Sequence, residues 1–193
     1  MWLWGGTFPG SGVVVVAGVF GTIFYATQRR GEGLREIGFR MDTFLPALRE
    51  VILATLPLAA LLLVSGLWFG RLRSDWMEVV GVLPRLVAWG LIQQTILQGF
   101  VHRRFREVLS GHVHVELATA AFFAACHVPN LRLMAATFVG GYVWAIIYRR
   151  HPNLPALAIA HALGSAALNI AFGPQLMRSM RVGPGYFQYV RTH

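Results

Sequence analysis

LIQQTILQGFVHRR, residues 91–104, lies in an apolar run long enough to enter a membrane, yet it contains three glutamines. These are Gln93, Gln94 and Gln98. An amide side chain buried in lipid without a hydrogen-bond partner costs several kcal/mol. The stretch therefore predicts a membrane-spanning helix whose polar residues face other helices rather than lipid.

The composition of the whole chain agrees with a membrane location. Of its 193 residues, 55% are hydrophobic and 13% are charged, and the mean hydropathy is +0.55. This balance is typical of a polytopic membrane protein and excludes an ordinary soluble domain. The formal charge of +9 comes from 17 arginines without any lysine. Because these arginines lie mostly at the ends of apolar runs, they indicate membrane topology and not nucleic-acid binding.

The apolar runs predict an all-α bundle of about six transmembrane spans, forming a single membrane domain over residues 1–193. The spans are expected at residues 11–27, 45–69, 82–101, 114–128, 131–148 and 154–172. The charged stretch between the first two spans suits a helix lying at the membrane interface. The polar, glycine-interrupted tail suits a loosely ordered interfacial segment. Because the chain starts without a basic region, the first span is not expected to be a cleaved signal peptide.

Arginine placement predicts the orientation of the bundle. Arginines follow the first, third and fifth spans, at Arg29, Arg30, Arg35, Arg40, Arg103, Arg104, Arg106, Arg149 and Arg150. By the positive-inside rule, these loops face the cytoplasm. Both termini are then expected outside.

Polar side chains of three predicted spans can converge on one site. Gln94 and Gln98 are four residues apart and share a helix face. His127 ends the fourth span, and His161 and Ser165 lie one turn apart on the sixth. The simpler interpretation is that such groups only hydrogen-bond helices together. Two intramembrane histidines nevertheless favour a functional site, because imidazole changes its protonation near neutral pH.

The remaining cysteine and histidines suggest structural roles. Cys126 is the single cysteine, which excludes an internal disulfide, and it is expected to be a small buried hydrophobe. His102, His112 and His114 are expected at the interface. Two histidines with amides fall short of the three or four ligands that zinc prefers, so neither a metal nor a cofactor is expected.

The order of these motifs resembles the CPBP group of intramembrane endopeptidases, which includes CAAX prenyl proteases and bacterial abortive-infection-type membrane proteins. That group carries Glu-Glu-x-x-x-Arg, then Phe-x-x-x-His, then His-x-x-x-Asn. Here the second motif is intact at Phe123 and His127, and the third keeps His161 with Ser165 in place of asparagine. The first reads Gln93-Gln94-Thr95-Ile96-Leu97-Gln98. The resemblance covers roughly residues 33–172 and implies a multi-pass protein of the bacterial inner membrane.

The resemblance also implies proteolytic processing of membrane-associated protein tails. Gln93 and His127 would occupy the positions that activate a water, and His161 and Ser165 those that stabilise the oxyanion. A glutamine keeps the hydrogen-bonding reach of glutamate but cannot deprotonate water. Losing a general base typically costs about 10²–10⁴-fold in rate. With Gln94 and Gln98 also neutral, the first motif predicts an amide network rather than buried charges.

Three functions stay open from the sequence. The first is a divergent endopeptidase in which His127 or His161 takes over as the base. The second is a catalytically silent relative that binds a membrane peptide or partner protein. The third is a small transporter, which the lack of visible inverted repeats disfavours. The expected partners are a membrane protein or peptide and the lipid bilayer. The sequence leaves open the oligomeric state and whether Asn169 replaces the missing asparagine.

Overall fold

The computed structural model describes residues 11–177 and 180–192, in which every regular element is helical. In chain order these elements are α1 Ser11–Gln28, α2 Phe44–Trp68, α3 Trp76–Gly81, α4 Leu83–Gln94, a π-helical segment Thr95–His102, α5 Arg103–Val108, α6 His112–Ala125, α7 Leu131–Arg150, α8 Leu154–Met177 and α9 Pro184–Thr192. The all-α prediction is confirmed. Helix α8 kinks at Gly173, whose φ of 63° glycine adopts without strain.

Three of the described helices are long and apolar enough to cross a membrane. They are α2, α7 and the part of α8 up to Gly173. Large apolar side chains of α2, such as Leu56, Val64 and Trp68, are exposed, as expected for contact with lipid. The total of six spans stays a prediction, although the other described helices lie close to the predicted positions.

Helix α8 is the centre of the bundle, because it packs against both α2 and α4 while α6 packs along α7. Glycines allow the close approach of these helices. A Cβ atom at Gly66 of α2 would overlap the backbone of Ala171, and one at Gly90 of α4 would press on Ala158 and His161. Small residues at such crossings are typical of membrane helix pairs. The contact at Gly90 places the polar face of α4 directly against His161.

The prediction of an interfacial helix between the first two spans is wrong. Residues 29–43 form turns and irregular backbone. Gly31 and Gly38 have φ of 66° and 108°, which interrupts a helix. The Tyr148 hydroxyl donates to the Ile37 carbonyl at 2.8 Å, and the Leu154 amide donates to the Gly38 carbonyl at 2.9 Å. The segment is therefore fixed to α7 and α8 through its backbone.

The prediction of a loosely ordered tail is also wrong for most of the length of that tail. Helix α9 occupies Pro184–Thr192. The amide of Gly183, just before it, donates to the carbonyl of Val128 at 3.0 Å. Proline at the first helical position is pre-organised for helix entry, which explains why the helix begins at Pro184.

Ion pairs connect the arginine-containing loops at one end of the bundle. Glu32 bonds both Arg103 and Arg104, and Arg30 pairs with Glu107 at 2.9 Å. Burial raises the pKa of the Glu32 carboxyl, but the two arginines outweigh burial and hold the pKa below its usual value. These pairs join the loop after α1 to α5.

Candidate functional site

A cavity of about 690 Å³ lies between α2, α7 and α8, which is a size typical of ligand sites. Its walls are mostly apolar, with α2 contributing Leu58 and Leu62 and α8 contributing Leu168 and Phe172. Residues able to carry chemistry also line it, namely Gln93, His127, Arg132, His161 and Ser165. The cavity thus combines an apolar binding surface with a small polar group.

His127 follows the last turn of α6 and is held in a defined orientation. Its Nδ1 lies 2.7 Å from the carbonyl oxygen of Phe123, and the rings of the two residues meet edge to face with centroids 4.9 Å apart. Because a carbonyl only accepts, Nδ1 must carry a proton and donate it. In the neutral ring, Nε2 then holds the lone pair. His127 is therefore set up as a proton acceptor.

His161 has the opposite arrangement on α8. It is 7% exposed, and its ring contacts those of Trp144 and Phe123, with centroid distances of 5.3 and 6.0 Å. The Gln94 amide nitrogen donates to His161 Nδ1 at 3.3 Å. Nδ1 is then the acceptor, so Nε2 of the neutral ring carries the proton. Phe123 contacts both histidines and brings them to the same cavity.

The three glutamines occupy three different environments. Gln93 lines the cavity, and its buried Oε1 has no hydrogen-bond partner among the described residues. Gln94 is fully buried behind His161. Gln98 is also fully buried, in the π-helical segment, and neither of its amide atoms has a partner in the described part of the chain. Of the six predicted residues, four line the cavity, Gln94 supports one of them, and Gln98 does not reach it.

Two expectations about single residues are wrong. His102 was expected at the interface but is fully buried, with Nδ1 3.2 Å from the Thr119 hydroxyl. It lies four residues after Gln98, and that spacing places it near the same inward face. Cys126 was expected to be buried but is exposed. It lies four residues after the exposed Phe122 and donates its amide to the Phe122 carbonyl at 3.1 Å, so it continues the outward face of α6.

Asn169 lies outside the cavity. Its Oδ1 accepts a hydrogen bond from Arg73 Nη1, and the Arg73 amide donates to the carbonyl of Ile170 at 3.0 Å. Arg73 also pairs with Asp75. Asn169 therefore attaches the loop after α2 to α8 and is directed away from the histidines.

The polar group of the cavity contains no carboxylate among the described residues that line it. No set of three His, Cys, Asp or Glu side chains that could hold a metal ion occurs in the described part of the chain. The buried carboxylate of Glu116 lies elsewhere and pairs with Arg149 Nε at 2.6 Å. Proton transfer in the cavity would thus depend on the histidines.

Long apolar helices around a mostly apolar cavity with a small polar group define the class of the molecule as an integral membrane protein. Residues 75–167 match the family model described as type II CAAX prenyl endopeptidase Rce1-like. This match supports membership of the CPBP family of CAAX protease-like membrane proteins, which the order of the motifs predicted. The matched region contains all six predicted site residues. No curated protein and no solved structure matches the chain.

Proposed function

We propose that the protein binds the membrane-embedded tail of a membrane-associated protein in the cavity and hydrolyses a peptide bond there, with His127 as the base. The observation that carries this proposal is the pair of hydrogen bonds that assign opposite tautomers to the two histidines beside Phe123. A hydrolytic site needs both a proton acceptor and a donor for the developing negative charge. His127 supplies the first and His161 the second.

The first step of the proposed reaction takes place at His127. Nε2 of this ring accepts a proton from a water molecule while the water oxygen attacks the carbonyl carbon of the tail. The carbonyl π electrons move to the oxygen, and a tetrahedral oxyanion forms. The Gln93 Oε1 accepts a hydrogen bond from the same water and orients it, without taking the proton. The oxyanion then re-forms the C=O bond, the C–N bond breaks, and the proton on His127 passes to the leaving amine, which leaves a carboxylic acid on the other fragment.

The oxyanion is stabilised on the other side of the cavity. The Nε2–H of His161 and the hydroxyl of Ser165 lie one helical turn apart on α8 and serve as donors. Gln94 fixes the tautomer of His161, since its amide donates to Nδ1. Removing one donor of this kind typically costs about 10²–10³-fold in rate.

A second candidate function is binding without hydrolysis. It is favoured by the lack of a carboxylate among the described residues that line the cavity. Without that base, the expected rate falls by about 10²–10⁴-fold, so His127 must replace it for turnover to be measurable. The apolar walls bind the tail equally well in either case.

The experiment reconstitutes the protein in neutral lipid vesicles with an apolar, membrane-anchored peptide, and measures both binding and cleavage. We expect cleavage by the wild type and its loss in His127→Gln, with peptide binding retained. His112→Gln is the matched control, because His112 is exposed and does not line the cavity. Binding without any cleavage by the wild type would establish the second candidate. Absence of binding would refute both.

We also propose the wider organisation of the chain. The family-like core extends over residues 33–172, upstream of the matched region, because α2 and the turns before it contribute to the cavity and its supports. The arginine-rich end faces the cytoplasm of a bacterial cell, with both termini outside. Labelling of cysteines introduced at Arg106 and Arg71, in a Cys126→Ser background, with a membrane-impermeant reagent tests this orientation. Only the second position should react in intact cells.

A further inference from the structure

Arg132 is the one residue with a fixed charge among the described residues that line the cavity. It is the second residue of α7, and its side chain is exposed at the end of the cavity. Its Nη1 donates to the carbonyl of Leu176 at 2.8 Å, so the guanidinium is fixed against the end of α8. A guanidinium has five N–H donors, and this contact leaves most of them for a ligand.

No acidic side chain in the described part of the chain forms an ion pair with Arg132. The chain has eight acidic residues, and each has another partner. Seven form ion pairs with other arginines or with His151, namely Glu32, Asp42, Glu50, Asp75, Glu78, Glu107 and Glu116. The eighth, Glu36, accepts from the amide of Gly33. The first turn of α7 also has no acidic residue, although a cation near a helix N-terminus is electrostatically unfavourable.

An apolar cavity with one uncompensated guanidinium at its end fits a ligand with an apolar body and one anionic group. We infer that Arg132 recognises the free C-terminal carboxylate of the bound tail. This inference rests on the proposed function, because it names the chemical group of the same tail that Arg132 binds. A planar guanidinium binds a carboxylate through two parallel hydrogen bonds, which an uncharged amide cannot reproduce.

The connection between His127 and Arg132 is short and held at both ends. The amide of Asn130 donates to the His127 carbonyl at 3.0 Å, and its side-chain oxygen accepts from the Leu133 amide at 3.2 Å, which caps α7. The Asn130 side-chain nitrogen also donates to the carbonyl of Met177 at 3.0 Å. The carboxylate-binding group is thus positioned rigidly relative to the proposed base.

The test compares two apolar peptides that differ only at the C-terminus, one a free acid and the other an amide. Dissociation constants are measured in neutral lipid vesicles for the wild type, Arg132→Gln, Arg132→Lys and Arg71→Gln. Arg71 is an exposed arginine outside the cavity and serves as the matched control. We expect the wild type and the control to bind the acid about five- to tenfold more tightly than the amide. The preference should vanish in Arg132→Gln and return in part in Arg132→Lys.

The outcomes separate this inference from the proposed function. Equal binding of acid and amide by the wild type would overturn the role of Arg132 and leave the proposed function intact. Binding of neither peptide would refute both. A long-chain fatty acid is also tested as a competitor. If it displaces the free-acid peptide, and if its binding depends on Arg132 as strongly as that of the peptide, the site binds a lipid carboxylate and the peptide assignment is overturned.

Discussion

Replacing Gln98 with leucine should stabilise the protein, which is unusual for a change at a fully buried position. Gln98 is 0% exposed, and both of its amide atoms lack a hydrogen-bond partner among the described residues. A buried polar group without a partner costs about 1–3 kcal/mol. Leucine removes this cost with little change in length. The expected gain in the free energy of unfolding is therefore about 1–3 kcal/mol.

Gln94→Leu is the matched control, for which the expected change in the free energy of unfolding has the opposite sign. Gln94 is buried to the same extent and lies one turn earlier, but its amide donates to His161 Nδ1. Leucine there removes that bond and leaves the buried imidazole nitrogen without a donor. We expect a loss of about 1–3 kcal/mol. Comparing the two variants cancels the general effect of making this helix more apolar.

Thermal unfolding in one detergent, followed by the fluorescence of the six tryptophans, measures both variants. For a domain of this size, 1 kcal/mol shifts Tm by about 2–4 °C. Gln98→Leu should therefore melt a few degrees above the wild type and Gln94→Leu a few degrees below it. A Gln98→Leu variant that melts clearly below the wild type would refute the reasoning, because it would mean that the Gln98 amide has a stabilising partner such as an ordered internal water.

Three further predictions concern charge. Glu116→Gln, which breaks the ion pair between a buried carboxylate and Arg149, should lower the free energy of unfolding by about 1–3 kcal/mol; an unchanged Tm would show that the pair contributes nothing. The hydrogen bond from Arg73 lowers the pKa of Asp75 to about 2, whereas the usual pKa of an aspartate is about 3.9. The contribution of ionised Asp75 to stability is therefore complete above about pH 4 and is lost as the pH falls towards 2. Asp75→Asn should accordingly reduce the fall in Tm between pH 6 and pH 3, and an identical pH dependence in both proteins would contradict this. Gln93→Glu alone should lower Tm and gain little cleavage activity, because the arginine position of the family motif is the neutral Gln98. A variant as stable as the wild type would show that the cavity already accommodates the charge.

Local spacing predicted the parts of the site that depend on one helix at a time. Four-residue spacing is enough to place His161 with Ser165, and apolar runs are enough to find the helices. Gln98 is fully buried like Gln94, as the four-residue spacing predicted, but it does not line the cavity. Which buried side chains reach a cavity depends on how the helices pack, and the hydrophobic pattern does not encode that packing.

Arg132 was missed for a different reason. In the sequence it is one arginine among 17, near the start of an apolar run. Its importance depends on the cavity formed where α2, α7 and α8 diverge, and on the acidic residues being paired elsewhere. Both features depend on the tertiary structure and are not visible in the sequence pattern. The same is true of the turns around Gly38, whose backbone partners lie more than a hundred residues later.

The polar interior of α4 and its π-helical continuation has a consequence for biosynthesis. This stretch is not among the three described helices that are long and apolar enough to cross a membrane unaided. A nascent helix leaves the translocon for lipid according to its own hydrophobicity, and buried amides oppose that step. The helix that covers Gln94 is α8, which is synthesised only after α6 and α7. We therefore expect the third predicted span to remain at the translocon, or beside a chaperone, until α8 emerges, so that the helices of the cavity enter the bilayer together rather than in the order of their synthesis.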